Sequence, residues 1–448
     1  MNDTIAALAT PCGESAIAVI RMSGEKSLIF LADIFERKQI VPRVMYRGHY
    51  RSSLGVILDD AMFVFFRGKS SYTGEDSAEI YTHGNMIVVS EVLGDLCERG
   101  CRLADRGEFT KRAFLSGKID LCQAEAVADV IHASSEVALA MAQRQLADKF
   151  SKKLSAIGDE LLLILAALET HIDFAEEEIC GNDLDEKITR RLEAIIADID
   201  SLLDSNRYRP IISGGLSVAI IGAPNAGKSS LFNCLLNAER ALVSPIAGTT
   251  RDFISERIML GGYAINLFDT AGLRTDAESE LELRGMEKTI EQIHRADAHL
   301  FVIDSSAEYP TLDRNILPFL GESNCLILEN KSDLPSSRVC CDFLPKCEHC
   351  RISALGEPDL ARASVANFLA KRCFLPKEVE IVVGARHVDI LTRAKRVLDE
   401  TRQTLAAIGV EFSANNIRNA LEIFGEMTGR YSSEAMLDSL FSTFCVGK

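Results

Sequence analysis

The stretch Gly222-Ala223-Pro224-Asn225-Ala226-Gly227-Lys228-Ser229 decides how this chain is read. It follows the apolar run Ser217-Val218-Ala219-Ile220-Ile221 and precedes the helix-like Ser230-Leu231-Phe232-Asn233-Cys234-Leu235-Leu236. Strand, glycine-bearing loop and helix in that order are the context that GxxxxGK[ST] requires. Backbone N–H groups of such a loop and of the helix start surround phosphate oxygens. Asn225, Ala226, Gly227 and Ser230 line this loop, Lys228 brings charge to the outer phosphates, and Ser229 offers its hydroxyl to Mg²⁺.

Further segments follow in the order a guanine-nucleotide site needs. Ser244, Pro245, Ile246 and then Ala247-Gly248-Thr249-Thr250-Arg251-Asp252 read as a switch, in which Thr250 completes Mg²⁺ and γ-phosphate contacts. Asp269-Thr270-Ala271-Gly272 closes the strand Ile265-Asn266-Leu267-Phe268, placing Asp269 behind Mg²⁺ and the Gly272 N–H toward the γ-phosphate. Asn330-Lys331-Ser332-Asp333 ends the strand Cys325-Leu326-Ile327-Leu328. A carboxylate at Asp333 accepts both the ring N–H and the exocyclic amine of guanine, and such sites reject the wrong base by roughly 10⁴-fold or more. Ser353-Ala354-Leu355 fits the loop that gives the guanine oxygen a backbone N–H. One expected group is missing: Leu273 stands where Ras-like proteins carry a water-orienting Gln, leaving Asn225 and the acidic run Glu278, Glu280, Glu282 as substitutes.

At 448 residues, 47% hydrophobic, the chain is long enough for two to four domains. No basic-led apolar segment opens it and no run of about 20 apolar residues occurs, so neither a signal peptide nor a membrane span is expected. Thirteen irregularly spaced cysteines suit a reducing, cytoplasmic setting. Among them, Cys347-x-x-Cys350 has a zinc-like spacing, but Cys340 and Cys341 are adjacent, so free thiols are the simpler reading. A net charge of −16 argues against a generic nucleic-acid binder. Local contact with RNA would fall to Arg99, Arg102, Arg106, Lys111, Arg112 and Lys118, set against Asp105 and Glu108; a solvated helix face is the alternative.

Pattern breaks divide the chain. Residues 1–117 mix β-like runs (Ala16 to Ile20, Ala61 to Phe66) with helical stretches, an α+β domain. Residues 118–210 are helical in period, interrupted only at Gly158, Gly181 and an Asn182-Asp183 turn. Residues 211–374 form the α/β nucleotide domain, and the helical period returns over 375–448 at Ile390, Leu391, Ala394, Val397 and Leu398. The α/β domain therefore reads as inserted into a helical bundle.

The whole set of motifs resembles the MnmE (TrmE) family. Alongside the nucleotide motifs, the resemblance rests on Asp3-Thr4-Ile5, Tyr72-Thr73-Gly74-Glu75-Asp76, His83-Gly84, Arg106-Gly107-Glu108-Phe109-Thr110, Lys118-Ile119-Asp120-Leu121, Ile172-Asp173-Phe174 and the final Cys445-Val446-Gly447-Lys448. Ser244 stands where the family commonly has Thr, and Val446 replaces a larger aliphatic. The resemblance implies a tetrahydrofolate-binding N-terminal domain that dimerises, a discontinuous helical domain and a Ras-like GTPase domain. It implies folate contacts at Arg21, Glu79, Lys118 and Lys448, with 5,10-methylene- or 5-formyl-tetrahydrofolate as the ligand. It implies K⁺ held by Asn225, Ser244, Ile246 and Thr249, and a water positioned by Glu282; Cys445 is a possible reactive thiol. The implied activity is K⁺-activated GTP hydrolysis that serves modification of the tRNA wobble uridine at carbon 5 with a carboxymethylaminomethyl or aminomethyl group. The implied partner is an MnmG-type flavoprotein, forming a heterotetramer and carrying FAD and NADH. A ribosome-assembly or translation GTPase, acting as a binding switch, is the alternative; it would not need the folate-type domain or the Cys445-Val446-Gly447-Lys448 end.

Overall fold

The computed structural model describes residues 3–173, 181–236, 255–269, 293–307, 324–335, 347–372, 379–430 and 433–447. By compactness the chain forms two units.

Unit 1 comprises Met1–Ala128, Gln145–Ile199 and Asp389–Lys448. Six strands, β1 (Thr4–Leu8), β2 (Ser15–Ser23), β3 (Tyr46–Arg51), β4 (Ile57–Phe66), β5 (Ser77–Gly84) and β6 (Cys101–Leu103), form a sheet ordered β3-β4-β5-β2-β1-β6. Every pairing is antiparallel except β1 with β6. Helices Ser27–Ile34 and Met86–Glu98 bring Phe30, Leu31, Val89, Val92 and Leu96 onto Ile20, Met22, Phe63, Phe65 and Ile80, closing one core. The second helix starts where the Asn85 side chain accepts the Ile87 N–H at 2.8 Å, replacing one orphan donor's partner.

The helical part of this unit departs from the expected breaks. Gly158 lies inside the uninterrupted helix Lys149–Asp173, and Gly181-Asn182-Asp183 opens the helix Gly181–Ser205 instead of forming a turn. The stripe Leu154, Ile157, Leu161, Ile164 and Leu168 is buried along Lys149–Asp173, which packs on Val410–Thr428. Burying such a side chain stabilises by roughly 1.5–3 kcal/mol, more than the about 1 kcal/mol that one helical Gly costs.

The charged stretch 99–118 is also organised differently from either expectation. Arg112 is buried and binds Asp3, Glu75 and Glu108; Arg102 binds Asp3 and Glu108; Arg99 binds Asp95 and Asp33; Lys111 binds Asp438. Arg99, Arg102, Lys111 and Arg112 thus tie segments of the unit together, while Arg106 and Lys118 stay exposed beside them.

Near the C-terminus, Phe441 and Phe444 cluster with Leu121 and Ala124. The tail then joins the N-terminal sheet region: Val446 forms an antiparallel bridge with Arg106, and the Gly107 N–H donates to the Cys445 carbonyl at 3.3 Å. Gly447 has φ +86°, and a Cβ there would lie 2.3 Å from the Leu8 carbonyl oxygen, so only glycine fits this close approach.

Unit 2 comprises Asp129–Arg144 and Asp200–Val388. Its sheet contains β7 (Leu216–Gly222), β8 (Ser255–Leu260), β9 (Tyr263–Asp269), β10 (Ala298–Asp304), β11 (Cys325–Asn330) and β12 (Glu348–Arg351), ordered β12-β11-β10-β7-β9-β8. All neighbours are parallel except the hairpin β8–β9. Side chains alternate along the central strand: Val218 and Ile220 enter one apolar cluster, Ala219 and Ile221 the other. A parallel sheet covered on both faces explains the continuous apolar runs of β7, β10 and β11.

Residues 129–144 belong to this unit because of specific bonds. The Val137 N–H donates to the Gly262 carbonyl at the β8–β9 turn (3.2 Å), Arg257 donates to the Ser134 hydroxyl (2.5 Å), and Arg209 pairs with Asp129 (3.2 Å). Ala138, Ile212 and Val382 form a small apolar cluster beneath. Among the described residues no helix is long and apolar enough to cross a membrane.

Candidate functional site

The β7 strand runs directly into the loop Gly222 to Gly227, and the helix Lys228–Leu236 leaves it. Asn225 has φ +63° and Gly227 φ +96°. This left-handed backbone curls the loop, as phosphate-cradling loops require. The buried Lys228 ammonium donates to the carbonyls of Gly222 and Ala223, both at 2.9 Å, so its charge sits over the loop. Asn225 and Ser229 are exposed beside it, while Ala226 is buried.

Asn330, at the end of β11, ties this loop to the rest of the site. Its amide nitrogen donates to the Ala226 carbonyl and its oxygen accepts from the Ala354 N–H, each at 3.0 Å. A Cβ on Gly227 would come within 2.1 Å of that amide nitrogen. One buried side chain thus sets the spacing between the loop 222–229 and the loop Ser353-Ala354-Leu355. The Ser353 hydroxyl accepts the Gly356 N–H at 2.9 Å, and Leu355 is exposed.

After Asn330 the chain turns at Lys331, whose φ is +62°, and the Leu334 N–H closes the turn on the Lys331 carbonyl at 3.0 Å. Lys331 Nζ donates to Asp304 Oδ2 at 2.6 Å. Burial alone would raise the Asp304 carboxyl, but hydrogen bonds from Lys331 and Ser306 outweigh it and hold it below its ordinary value. Asp333 is exposed inside the turn. Asp269 ends β9 at the register position facing Ile220. The structure therefore gathers Asn225, Ala226, Gly227, Lys228, Ser229, Asn330, Lys331, Ser332, Asp333, Ser353, Ala354 and Leu355 around the C-terminal ends of β7 and β11. Ligands of open α/β sheets bind at such strand ends. Ser244, Pro245, Ile246, Ala247, Gly248, Thr249, Thr250, Thr270, Ala271, Gly272 and Glu282, and the Asp269 side chain, lie outside the described residues.

A second candidate site lies in unit 1. Arg21 on β2 and Glu79 on β5 are direct cross-strand neighbours. Arg21 donates through Nε (3.0 Å) and Nη2 (2.8 Å) to Glu79 Oε1, and through Nη1 to the Gly447 carbonyl at 3.1 Å. The Tyr81 hydroxyl donates to Glu79 Oε2 at 2.6 Å; burial, then this bond, push the phenol up to about 12. The Arg21 guanidinium lies 5.9 Å from the Phe109 ring centroid. Lys118 does not join this pair: its ammonium donates to the Lys69 carbonyl at 2.7 Å. Cys445 is exposed, and Lys448 lies outside the described residues. Tyr81 was readable, being two residues from Glu79 and hence on the same strand face. Asp304 carried no local signal, and Phe109 and Gly447 stood out only as members of longer motifs, not as neighbours of Arg21.

The Cys347-x-x-Cys350 pair does not converge. Cys347 enters the apolar cluster of Phe301 and Cys325 on one sheet face, while Cys350 packs on the other face and donates to Ser364 Oγ at 3.1 Å.

A mostly parallel sheet with a phosphate-type loop at the end of its central strand, locked to a purine-type loop by Asn330, defines a P-loop nucleotide-binding protein. Comparison with known proteins makes this particular. The family model described as "MnmE helical domain" matches residues 121–445, and "GTP-binding protein TrmE N-terminus" matches residues 4–118. The chain is 41% identical to "tRNA modification GTPase MnmE" of Opitutus terrae, covering 100% of this chain and 99% of that one. It is 38% identical to the protein of the same name in Aquifex aeolicus, covering 100% of both. Among solved structures it is similar to Aquifex aeolicus Era bound to GDP and AlF4⁻, at 25% identity and TM-score 0.26, over 40% of this chain and 66% of that one. The chain belongs to the MnmE (TrmE) family.

Proposed function

We propose that this chain is a GTP hydrolase acting in modification of the tRNA wobble uridine. The observation that carries the reading is Asn330, which joins the loop Gly222 to Ser229 to the segment Ser353 to Leu355 through two 3.0 Å bonds. In this reading Lys228 and the loop N–H groups hold the phosphates, and Ser229 and Thr250 hold Mg²⁺ with Asp269 behind them. Asp333 accepts from guanine, and Ala354 donates toward its carbonyl oxygen. The exposed Ser229 hydroxyl, beside the Lys228 charge, fits an Mg²⁺ ligand. K⁺ at Asn225, Ser244, Ile246 and Thr249 would supply the charge that an arginine finger supplies elsewhere, a service worth about 10³–10⁵ in rate. Glu282 orients water. Hydrolysis is expected to be faster in K⁺ than in Na⁺; equal rates in the two salts would refute the K⁺ assignment.

The domain division 1–117, 118–210, 211–374 and 375–448, with the GTPase domain inserted into a helical domain, belongs to the same reading. The N-terminal domain would form a homodimer and bind 5,10-methylene- or 5-formyl-tetrahydrofolate, whose chemistry is the supply of a one-carbon unit. Arg21 fits the anionic portion of that ligand. Glu79 already accepts from Arg21 and Tyr81, so it fits only through its remaining lone pairs. Lys448 would add a cation, whereas Lys118, bound to the Lys69 carbonyl, would join only by leaving that bond. An MnmG-type flavoprotein with FAD and NADH, tRNA and a cytoplasmic location complete the proposal. Mass spectrometry of tRNA nucleosides from a strain lacking this chain tests it: unmodified wobble uridines are expected, and unchanged modification would refute the reading.

A further inference from the structure

We propose that Asp304 is a specificity-positioning residue of the purine site: by holding the Lys331 ammonium, it keeps the Asp333 carboxylate unpaired for the two donors of guanine. The inference rests on the GTP reading above and names a residue that the motifs do not contain.

Asp304 ends β10 as the register partner of Asn330. Its two carboxylate oxygens are divided between tasks. Oδ1 accepts from the Ser306 N–H at 2.9 Å and the Ser306 hydroxyl at 2.6 Å, which fixes the plane of the group. Oδ2 accepts from Lys331 Nζ at 2.6 Å. A second link between the same chain ends, the Ser305 N–H to the Asn330 carbonyl at 3.0 Å, prevents the two strands from drifting apart. An exposed ion pair between two floppy side chains contributes little, because holding both costs entropy. Here one partner is fixed in advance, and the pair is about a fifth to a third exposed (18% and 33%).

The consequence follows from the turn. Lys331 and Asp333 are two residues apart in a turn closed by Leu334. No described hydrogen bond or ion pair engages Asp333. Released from Asp304, the long, mobile Lys331 ammonium would have an acidic group within its own turn. Pairing with Asp333 would occupy the lone pairs that guanine's ring N–H and exocyclic amine need. Such a loss falls harder on guanine, with two donors, than on hypoxanthine, with one. A merely structural role would weaken both alike.

The test uses the full-length chain and measures dissociation constants for GDP and IDP. The unmutated protein is expected to prefer GDP. Asp304→Asn and Asp304→Ala are expected to reduce that preference about tenfold, the scale of one hydrogen bond to a charged group. Adding Lys331→Met to Asp304→Ala removes the released ammonium and is expected to restore the preference. If Asp304→Ala fails to fold, Asp304→Asn, which retains an acceptor for Ser306, carries the test. An unchanged preference, equal weakening of GDP and IDP, or no recovery in the double variant would overturn the inference. Absence of guanine preference in the unmutated protein would instead overturn the GTP reading.

Discussion

Arg112 shows what single residues contribute and why their role was hard to foresee. Only 2% exposed, it donates to the Asp3 carbonyl and Glu75 through Nη1, and to the Asp3 and Glu108 carboxylates through Nη2. Truncating one member of such a network leaves buried charge uncompensated, so Arg112→Met is expected to cost about 3–5 kcal/mol, read from urea unfolding. The same network makes stability depend on pH. Burial would raise the Glu108 carboxyl, but Arg102, the Asp105 N–H and Arg112 together lower it from the ordinary 4.5; the Arg102 and Arg112 bonds likewise outweigh burial and lower Asp3 from 3.8. Lowered folded values mean that the contribution is complete above these ordinary values and is lost as pH falls through the lower folded ones. Acid titration of the urea midpoint should therefore decline below about pH 4.5, and Arg112→Met should flatten that decline. The basic residues were legible in the sequence. Of their carboxylates the nearby Asp105 and Glu108 were too, but Asp3, Glu75 and Asp438 were not, because they come from remote segments. The phosphate loop is the opposite case, since its chemistry is contained in eight consecutive residues. Gly227→Ala, at φ +96° and 2.1 Å from Asn330, is expected to lose about 1–3 kcal/mol and to weaken nucleotide binding, measured by unfolding and titration.

Strands were the most legible elements. The runs at Ala16, Ala61, Ser217, Ile265 and Cys325 all became strands; those at Ser217 and Cys325 are the plainest, because two-sided burial in a parallel sheet demands unbroken apolar stretches. Helix boundaries were less so. Gly158 looks like a breaker locally, yet a long buried stripe on either side carries the helix through it. A Cβ at Gly158 would meet nothing within 4 Å, so Gly158→Ala is expected to stabilise by about 0.5–1 kcal/mol, seen as a higher unfolding midpoint. The terminal segment behaves in reverse. Gly447→Val would drive a side chain into the Leu8 carbonyl and should release the tail. Faster hydrogen exchange at the Gly107 amide, whose acceptor is the Cys445 carbonyl, would report that release; unchanged protection would contradict it.

Across the whole molecule, the α/β character of unit 2 was readable from motif order, whereas the membership of residues 129–144 was not. Those residues lie within a helical stretch and reveal their attachment only through Gly262, Arg257 and Arg209, far along the chain. A fragment of residues 200–388 alone would expose the surface that Ala138 covers with Ile212 and Val382. It is expected to melt lower than the same fragment supplied with a peptide of residues 129–144. Equal melting temperatures would show that the segment is a passenger.

The bond from Arg21 to the Gly447 carbonyl spans 426 residues of sequence. Ribosomes make Arg21 early and Gly447 hundreds of codons later. Throughout synthesis, then, the Arg21–Glu79 pair waits with one guanidinium donor turned to water until translation has passed Gly447. Contacts so distant in sequence form late for entropic reasons as well. A chain cut short before Gly447 would consequently keep both sheets yet leave Arg21 Nη1 without this acceptor, a built-in distinction between chains that carry the segment and chains that lack it.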